Sequence, residues 1–401
     1  MIKYILRNTK IRIKILIFGI AFLSMNCVST GLIFDRFTAV SSQFSFAAVG
    51  DIMVHSSQLD LNYDRTAKTF DFDQSFQFVT SYLQGNDFVI GNLETTISAN
   101  PKSYSGYPLF SSPPELVEAT KKAGFTILST ANNHSADKGS SGILTTLDVL
   151  EKNSILSLGT YRDEEDYKER KDLLLERDGF KILFYNYTYG TNGMKVPSPT
   201  IVRILTEESI RTDLENAKSL EADLIIVALH YGPEYVRKPS NDMKKWVEFA
   251  FFEGADIVLG GHPHVLQKFE IQNKMDRYGI QKDRLVFYSM GNFLSGQRKP
   301  HTDGGAVFRW NVNLYKSQWK DITRITYNQV HYVPTWVYPN QRNNKPNFAI
   351  LPIPEFLDDS GNIYDPMPYN LQLSKRDIRD IQFFYKSTKE LLGDPSGILP
   401  F

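Results

Sequence analysis

The strongest constraint on the fold of this chain is a unit that recurs along it. A short apolar, β-branched run ends in small and polar residues, and a stretch with helical spacing follows. Six such runs can be read: SFAAVGD ending at Asp51, DFVIGNLE at Glu94, TILSTANNH at His134, DLIIVALHYG past His230, ADIVLGGHPH at His264 and RLVFYSMGN at Asn292. Near-continuous apolar runs are what strands buried on both faces require. Between them, Pro113 and Pro114 precede ELVEATKKAG, where proline suits a first turn and Gly124 a stop. GILTTLDVLEKN aligns Ile143, Leu147 and Leu150 on one face. SNDMKKWVEFAFFEG opens with the cap candidates Ser240 and Asn241 and stops at Gly254. Strands alternating with helices predict an α/β sheet core.

The length of 401 residues permits one large domain or two, and the pattern favours one domain plus tails. Residues 1–26 read as a signal peptide or membrane anchor, 27–45 as a tether, 46–338 as the domain, and 339–401 as a C-terminal loop and helix packing on it. Within the domain, AVFRWNVNLY and RITYNQVHYVPTWVY alternate as strands, which predicts antiparallel additions to the sheet. The last helix, SKRDIRDIQFFYKSTKELLG, carries a capping box from Ser374 to Asp377 and a stop at Gly393. Lysine plus arginine and aspartate plus glutamate both number 45, so the net charge is zero. That argues against nucleic acid as a partner, because phosphate-backbone binding needs clustered positive charge. A local patch can still attract an anionic polymer.

The N-terminus differs from the rest. Lys3, Arg7, Lys10, Arg12 and Lys14 form a basic start with no acidic residue before Asp35, and an apolar run from Ile15 to Leu23 follows. This is the layout of a secretory signal, and the run is short of the roughly 20 residues a spanning helix needs. Cys27, the one cysteine, cannot form an internal disulfide but can carry a lipid if the signal is cut before it. Leu23 stands one position further from Cys27 than in the usual lipoprotein pattern, and Met25 is bulky for that box. Lipidation at Cys27 and an uncleaved N-terminal helix therefore both remain open, and either would tether an exported chain to the cell envelope.

In open α/β sheets, ligands bind at the carboxyl ends of the strands, where loops converge on a rigid edge. Five of the six runs bring to that edge an Asp, Glu, Asn or His taken here as a candidate metal ligand. Asp51 follows Gly50 at an expected strand-to-loop turn, and Glu94, Asn132 and Asn133 supply further oxygen donors. Taken singly, each of these is commonly a turn or cap residue. His230 closes the most apolar run, where a satisfied core histidine is the alternative. His262 and His264 flank Pro263, and in an extended loop residues two apart face the same side. Gly260 and Gly261 allow close backbone approach there. Imidazole with carboxylate and amide oxygen suits zinc, iron or manganese, whereas carboxylates alone would suit magnesium or calcium. Two ions sharing a carboxylate could activate a water toward a phosphorus centre, with Glu94 as the candidate bridge. His134 could protonate a leaving oxygen or hold a phosphoryl group.

The ordered motifs GDIM, GNLE, TANNHSADKG, LHYGPEY, GADIVLGGHPHVLQ and YSMGNF, spanning Phe46 to Gln297, resemble the CapA family of bacterial capsule-synthesis proteins. That family includes the membrane-bound component of poly-gamma-glutamate production. The resemblance implies a calcineurin-like metallophosphoesterase fold, a four-layer α/β/β/α sandwich of two mixed β-sheets with outer helices. It also implies metal positions at Asp51, Glu94, Asn133, His230, His262 and His264, with His134 as the catalytic-type histidine and two divalent transition-metal ions (Mn, Fe or Zn) as cofactors. Compared with the wider superfamily, Met53 stands where a histidine is expected, Glu94 replaces an aspartate, and Ser135 replaces an acidic residue. Met53 is a poor ligand for a hard metal, so His55 is a candidate substitute.

Three functions fit these residues. The first is a membrane-tethered envelope protein of capsule or poly-gamma-glutamate synthesis or export, acting as a metal-dependent hydrolase or transferase on a phosphate ester, acyl phosphate or polymer end. The second is a non-catalytic scaffold that binds an anionic polymer or a membrane synthase complex. The third, a secreted metal-dependent phosphoesterase, is weakened by Met53. Lys138, Lys195, Arg237 and Lys238 are placed near the crevice by motif order and could attract an anionic substrate. The run from Tyr185 to Gly190 reads as edge-strand packing in preference to a binding groove.

Overall fold

The computed structural model describes residues 39–317, 323–340 and 347–394. The expected signal or anchor, Cys27 and the tether up to residue 38 lie outside the described residues. Among the described residues, no helix is long and apolar enough to cross a membrane. Among the described residues two compact units are distinguished, 39–42 with 314–317 and 323–324, and 43–313 with 325–340 and 347–394. The second holds every residue of the functional site.

The principal strands are β1 (Ala39–Ile52), β2 (Phe88–Leu93), β3 (Ile127–Ser129), β4 (Leu156–Leu158), β5 (Leu173–Arg177), β6 (Phe180–Thr188) and β7 (Leu224–His230). They continue as β8 (Ile257–Gly261), β9 (Phe269–Met275), β10 (Gln281–Phe287), β11 (Asn292–Leu294), β12 (Gly304–Ser317), β13 (Thr323–Asn340) and β14 (Asn347–Pro352). One sheet runs β14-β13-β12-β1-β2-β3-β4, with β11 also paired to β1, and the other runs β5-β6-β7-β8-β10-β9. Strands β1 to β4 are parallel, as are β6, β7, β8 and β10, while β5, β9 and β14 pair antiparallel with their neighbours. Both sheets are therefore mixed. Parallel neighbours need crossover connections, and the helices Glu115–Ala123, Gly139–Lys152, Glu207–Ser219 and Asn241–Glu253 provide them.

Side-chain alternation along the strands sorts the layers. Phe46 and Phe88 of the first sheet point inward, where Phe88 lies 5.7 Å from Phe184 of the second sheet and Phe46 stacks on Trp310 at 5.3 Å. Phe287 of the second sheet meets Trp310 at 5.1 Å, so an aromatic layer joins the two sheets face to face. Their neighbours Ala47 and Val89 turn outward onto Leu116, Val117 and Leu150 of the helices. On the opposite side, Leu183, Val227 and Val258 pack on Ile210, Leu214, Val247 and Phe251. The result is four layers, α/β/β/α. The expected caps are present: Gly124 closes its helix at φ 112°, Ser240 accepts from the Met243 N–H, and Ser374 and Asp377 form a capping box.

Three features depart from the sequence expectation. Residues 39–45, read as tether, are the start of β1, and residues 347–352, read as loop, add an edge strand beyond residue 338. Strand β6 is interior, between β5 and β7, so the tyrosine-rich run is not at a sheet edge. Its phenols are satisfied on the helix side, Tyr185 by Asp172 and Tyr187 by Asp213, each at 2.7 Å, which is why polar aromatics are tolerated inside.

Gly50 also has a different role. It lies within β1 rather than at a turn, and β11 crosses so close that the Asp51 N–H donates to Gly291 O at 2.9 Å. A Cβ on Gly50 would stand 1.9 Å from that carbonyl oxygen. Backbone cannot yield there as a side chain could. Gly50→Ala is expected to destabilise the fold by about 1–3 kcal/mol or more, read as a lowered urea midpoint. An unchanged midpoint would show that β11 moves away easily.

Candidate metal centre

The carboxyl ends of the two parallel sets deliver the donors. Asp51 is the penultimate residue of β1, and Glu94 follows β2 directly, its N–H held by Ile52 O at 3.0 Å. Asn133 and His134 follow β3, His230 is the last residue of β7, and His262 and His264 follow β8. All seven are buried. Two groups of potential ligand atoms lie mutually within 4.8 Å: Asp51, Glu94 and His230, and Glu94, His262 and His264. Glu94 belongs to both. Asn133 joins the first group through Oδ1, 2.8 Å from His230 Nε2, which itself stands 3.5 Å from Glu94 Oε1. In the second group, His264 Nε2 faces Glu94 Oε1 at 3.8 Å while its Nδ1 meets Asp51 Oδ2 at 3.0 Å.

The electrostatics show why this cluster suits a cation. Burial drives the Asp51 carboxyl up, but the hydrogen bond and charge of His264, with His230 and Asn92, more than offset it and leave about 2. For Glu94 the charges of His264 and His134 give too little relief: burial and then the Asp51 charge hold it well above the ordinary carboxylate range. Burial pushes His230 down to about 3, and burial with the neighbouring histidines does the same to His262. Neutral imidazole is the form that ligates metal. Burial also lowers His264, yet Glu94 and Asp51 raise it to about 9. Glu94 Oε1 and His262 Nδ1 are buried with no hydrogen-bond partner among the described residues. Orphaned buried polar atoms are costly, and a divalent ion between these groups would satisfy both. The donor set is thus compatible with metal binding.

Several contributors were not legible beforehand. Asn92, the alternate residue before Glu94, donates from Nδ2 to Asp51 Oδ1 at 2.8 Å and to Glu94 Oε2 at 3.2 Å, so one amide serves both carboxylates. Asn132 is a support rather than a donor to the cluster; its Nδ2 holds Asn92 Oδ1 at 3.2 Å and its Oδ1 accepts the His134 N–H at 3.1 Å. Asp137 anchors the His134 ring, Oδ2 to Nδ1 at 2.7 Å. It supplies a carboxylate where Ser135 lacks one, and Ser135 instead closes the turn onto Thr130 O and Asn132 O. An Asp three residues past the histidine was the available signal.

Other expectations are corrected. His55 joins neither ligand group: its Nδ1 accepts the Gly296 N–H at 3.1 Å, and burial lowers it to about 4. The His262-Pro263-His264 segment is not extended; φ is 94° at His262 and 59° at His264. Left-handed backbone, rather than period-two alternation, brings both rings inward, and such strain persists only where packing over-determines it. Arg237 turns to the C-terminal helix, donating to Ser387 O at 2.8 Å. Lys138 stands at the N-cap position of the 139–152 helix without a side-chain cap, while Lys195 and Lys238 are exposed. A cation near the rim is Lys299, whose Nζ lies 3.8 Å from the Tyr235 ring centroid, with Tyr235 itself 6.0 Å from His264. From the run read as edge packing, Tyr189 reaches the site, 4.7 Å from the His262 ring.

A model of the bacterial capsule synthesis protein PGA_cap matches residues 45–297, more than half of the chain. The chain belongs to the PGA_cap family. It is 28% identical over 284 residues to the capsule biosynthesis protein CapA of Bacillus anthracis, a match that covers 68% of this chain and 64% of that protein, less than two thirds of its length. It is 27% identical over 271 residues to the PGA biosynthesis protein CapA of Bacillus subtilis (strain 168), covering 67% of each. Among solved structures, it is similar to the NAD nucleotidase NadN of Haemophilus influenzae at a TM-score of 0.47 and 13% identity, over 89% of this chain and 65% of that one. The PGA_cap match contains every donor of the cluster together with Asn92, Asp137 and Tyr189.

Asn92 offers a direct test of what a donor shared by the two carboxylates contributes. Asn92→Ala leaves Asp51 Oδ1 and Glu94 Oε2 without their shared donor. In metal-free PGA_cap protein it is expected to cost about 1–3 kcal/mol by urea denaturation. A loss below about 0.5 kcal/mol would show that the amide is dispensable.

Proposed function

We propose that this PGA_cap protein acts at the cell envelope in capsule or poly-gamma-glutamate synthesis as a metal-dependent hydrolase or transferase. Its site would hold two divalent transition-metal ions, manganese, iron or zinc, one on each side of Glu94. The observation that carries this reading is the pair of ligand groups that share Glu94, with Glu94 Oε1 and His262 Nδ1 both buried and unpaired. Asp51, Glu94, His230 and Asn133 would hold one ion, and Glu94, His262 and His264 the other.

Bound in such pairs, divalent ions polarise a phosphoryl or acyl oxygen and lower the pKa of water. The chain's own groups do the rest. Asn92 donates to both Asp51 and Glu94, and Asp51 fixes the His264 ring through Nδ1, an outer contact that sets which nitrogen faces the ion. Asp137 fixes the His134 ring in the same manner, leaving Nε2 as the atom able to pass a proton to a leaving oxygen. The substrate class this suits is a phosphate ester, an acyl phosphate or the end of an anionic polymer. The basic N-terminal start, the apolar run that follows it and Cys27 support export and tethering to the membrane, with a synthase complex as the natural neighbour.

Elemental analysis of protein purified without chelators should find about two divalent transition-metal ions per chain. A chain with none would defeat the metal reading. The double variant His262→Ala with His264→Ala should lose at least one ion and abolish polymer output in the producing cell. Full output from a folded, metal-depleted variant would instead assign the protein a scaffolding role. For localisation, the protein should fractionate with membranes, and recovery in the cytosol would refute export. Release by Cys27→Ala would assign the tether to a lipid, and retention would assign it to the apolar run.

A further inference from the structure

The loop after β6 reaches the first ligand group. It is anchored at its start by the Tyr189 N–H, which donates to His230 O at 3.0 Å. Further on, the Met194 N–H donates to Thr191 O at 2.8 Å and closes a tight turn, whose central residues Asn192 and Gly193 are both left-handed, at φ 50° and 75°. Asparagine is one of the few residues with a side chain that tolerate this backbone. The turn carries the Asn192 side chain from an exposed position to the buried Asn133. Asn133 Nδ2 donates to Asn192 Oδ1 at 3.3 Å, and the Tyr189 hydroxyl donates to the same oxygen at 3.1 Å.

A carboxamide presents an oxygen at one end and an NH2 at the other, and the two ends are alike in shape. Only the oxygen ligates a cation, so a ligating asparagine needs a neighbour that selects the end turned to the ion. An acceptor facing the NH2 makes that selection, because the reversed amide would set two oxygens against each other. Asn192 Oδ1 is such an acceptor, and Asn133 Oδ1 is accordingly left to face His230 Nε2 at 2.8 Å. The Tyr189 hydroxyl is a second donor to the Asn192 oxygen, and its ring is seated 4.7 Å from His262.

We propose that Asn192 is a positioning residue for the metal centre: its side-chain oxygen fixes the Asn133 amide so that Oδ1 faces the ion held with Asp51, Glu94 and His230. This rests on the two-metal reading above. Asn192 touches no ion and acts through Asn133, an outer contact of the kind that tunes metal affinity.

The test titrates metal-free, full-length wild type, Asn192→Gly, Asn192→Asp and Asn133→Ala with Mn2+ by calorimetry and, separately, with Co2+ followed by visible absorption. Glycine suits the left-handed backbone and removes the acceptor, whereas aspartate keeps it. In Asn192→Gly one of the two Mn2+ dissociation constants should rise on the order of 10- to 100-fold, the same one that rises in Asn133→Ala, while the other holds. The Co2+ bands should shift in Asn192→Gly and return in Asn192→Asp. Constants unchanged by Asn192→Gly would overturn the positioning role and leave the two-metal site standing. So would a rise of both constants together, which marks a loosened loop, or Co2+ bands in Asn192→Asp that stay where Asn192→Gly puts them. An Asn133→Ala protein that binds as wild type does would overturn it as well. Wild type that binds neither ion would fail the two-metal reading itself and the positioning role with it.

Discussion

Asp51 and Glu94 are two buried carboxylates placed side by side, and the rest of the site is arranged around the cost of keeping them there. Like charges out of water repel strongly, and each needs a donor or a cation to remain ionised. Asp51 obtains this from His264 and Asn92, so it stays acidic; Glu94 receives Asn92 only at Oε2, its Oε1 is left without a partner, and burial holds it well above the ordinary range. Four more donors, Asn133, His230, His262 and His264, converge on the same few ångströms. A divalent ion held by Glu94 and its neighbours would satisfy Oε1.

Holding such groups requires a frame that does not relax, and the sandwich supplies it at the strand ends. Each carboxylate and the first histidine sit on or directly after a strand buried on both faces, locked by the aromatic layer between the sheets. Where the frame must come unusually close, side chains are absent: Gly50 passes Gly291, and Gly260 passes the Tyr288 carbonyl, with no room for a Cβ. Where it must turn sharply, the backbone is strained, as at His262 and His264. Such strain is characteristic of sites that must be shaped before a ligand arrives.

Much of this was legible from the residues. The apolar runs ending at Asp51, Glu94, His230 and His264 form strands, the capping signals at Gly124, Ser240 and Ser374 mark helix ends, and the ordered motifs carry the family. Local signals were misleading where meaning depends on what lies across the fold. A tyrosine-rich strand looks like an edge until Asp172 and Asp213 are seen to satisfy its phenols. Gly50 looks like a turn until β11 is seen beside it. Asn92 carries no signal at all, because an asparagine before a leucine and a glutamate acquires its role only when Asp51 and Glu94 flank its amide.

The order of strands and helices, the kinds of donor at each strand end and the family are therefore properties of the linear chain, since periodicity, capping chemistry and motif order are local. Which atoms meet was decided only by the tertiary structure. Glu94 between two ligand groups, Asp137 behind His134, His55 turned to Gly296 and Asn192 carried to Asn133 all depend on contacts between segments far apart in the chain. Distances of that kind follow from sheet register and loop closure, which no window of sequence contains.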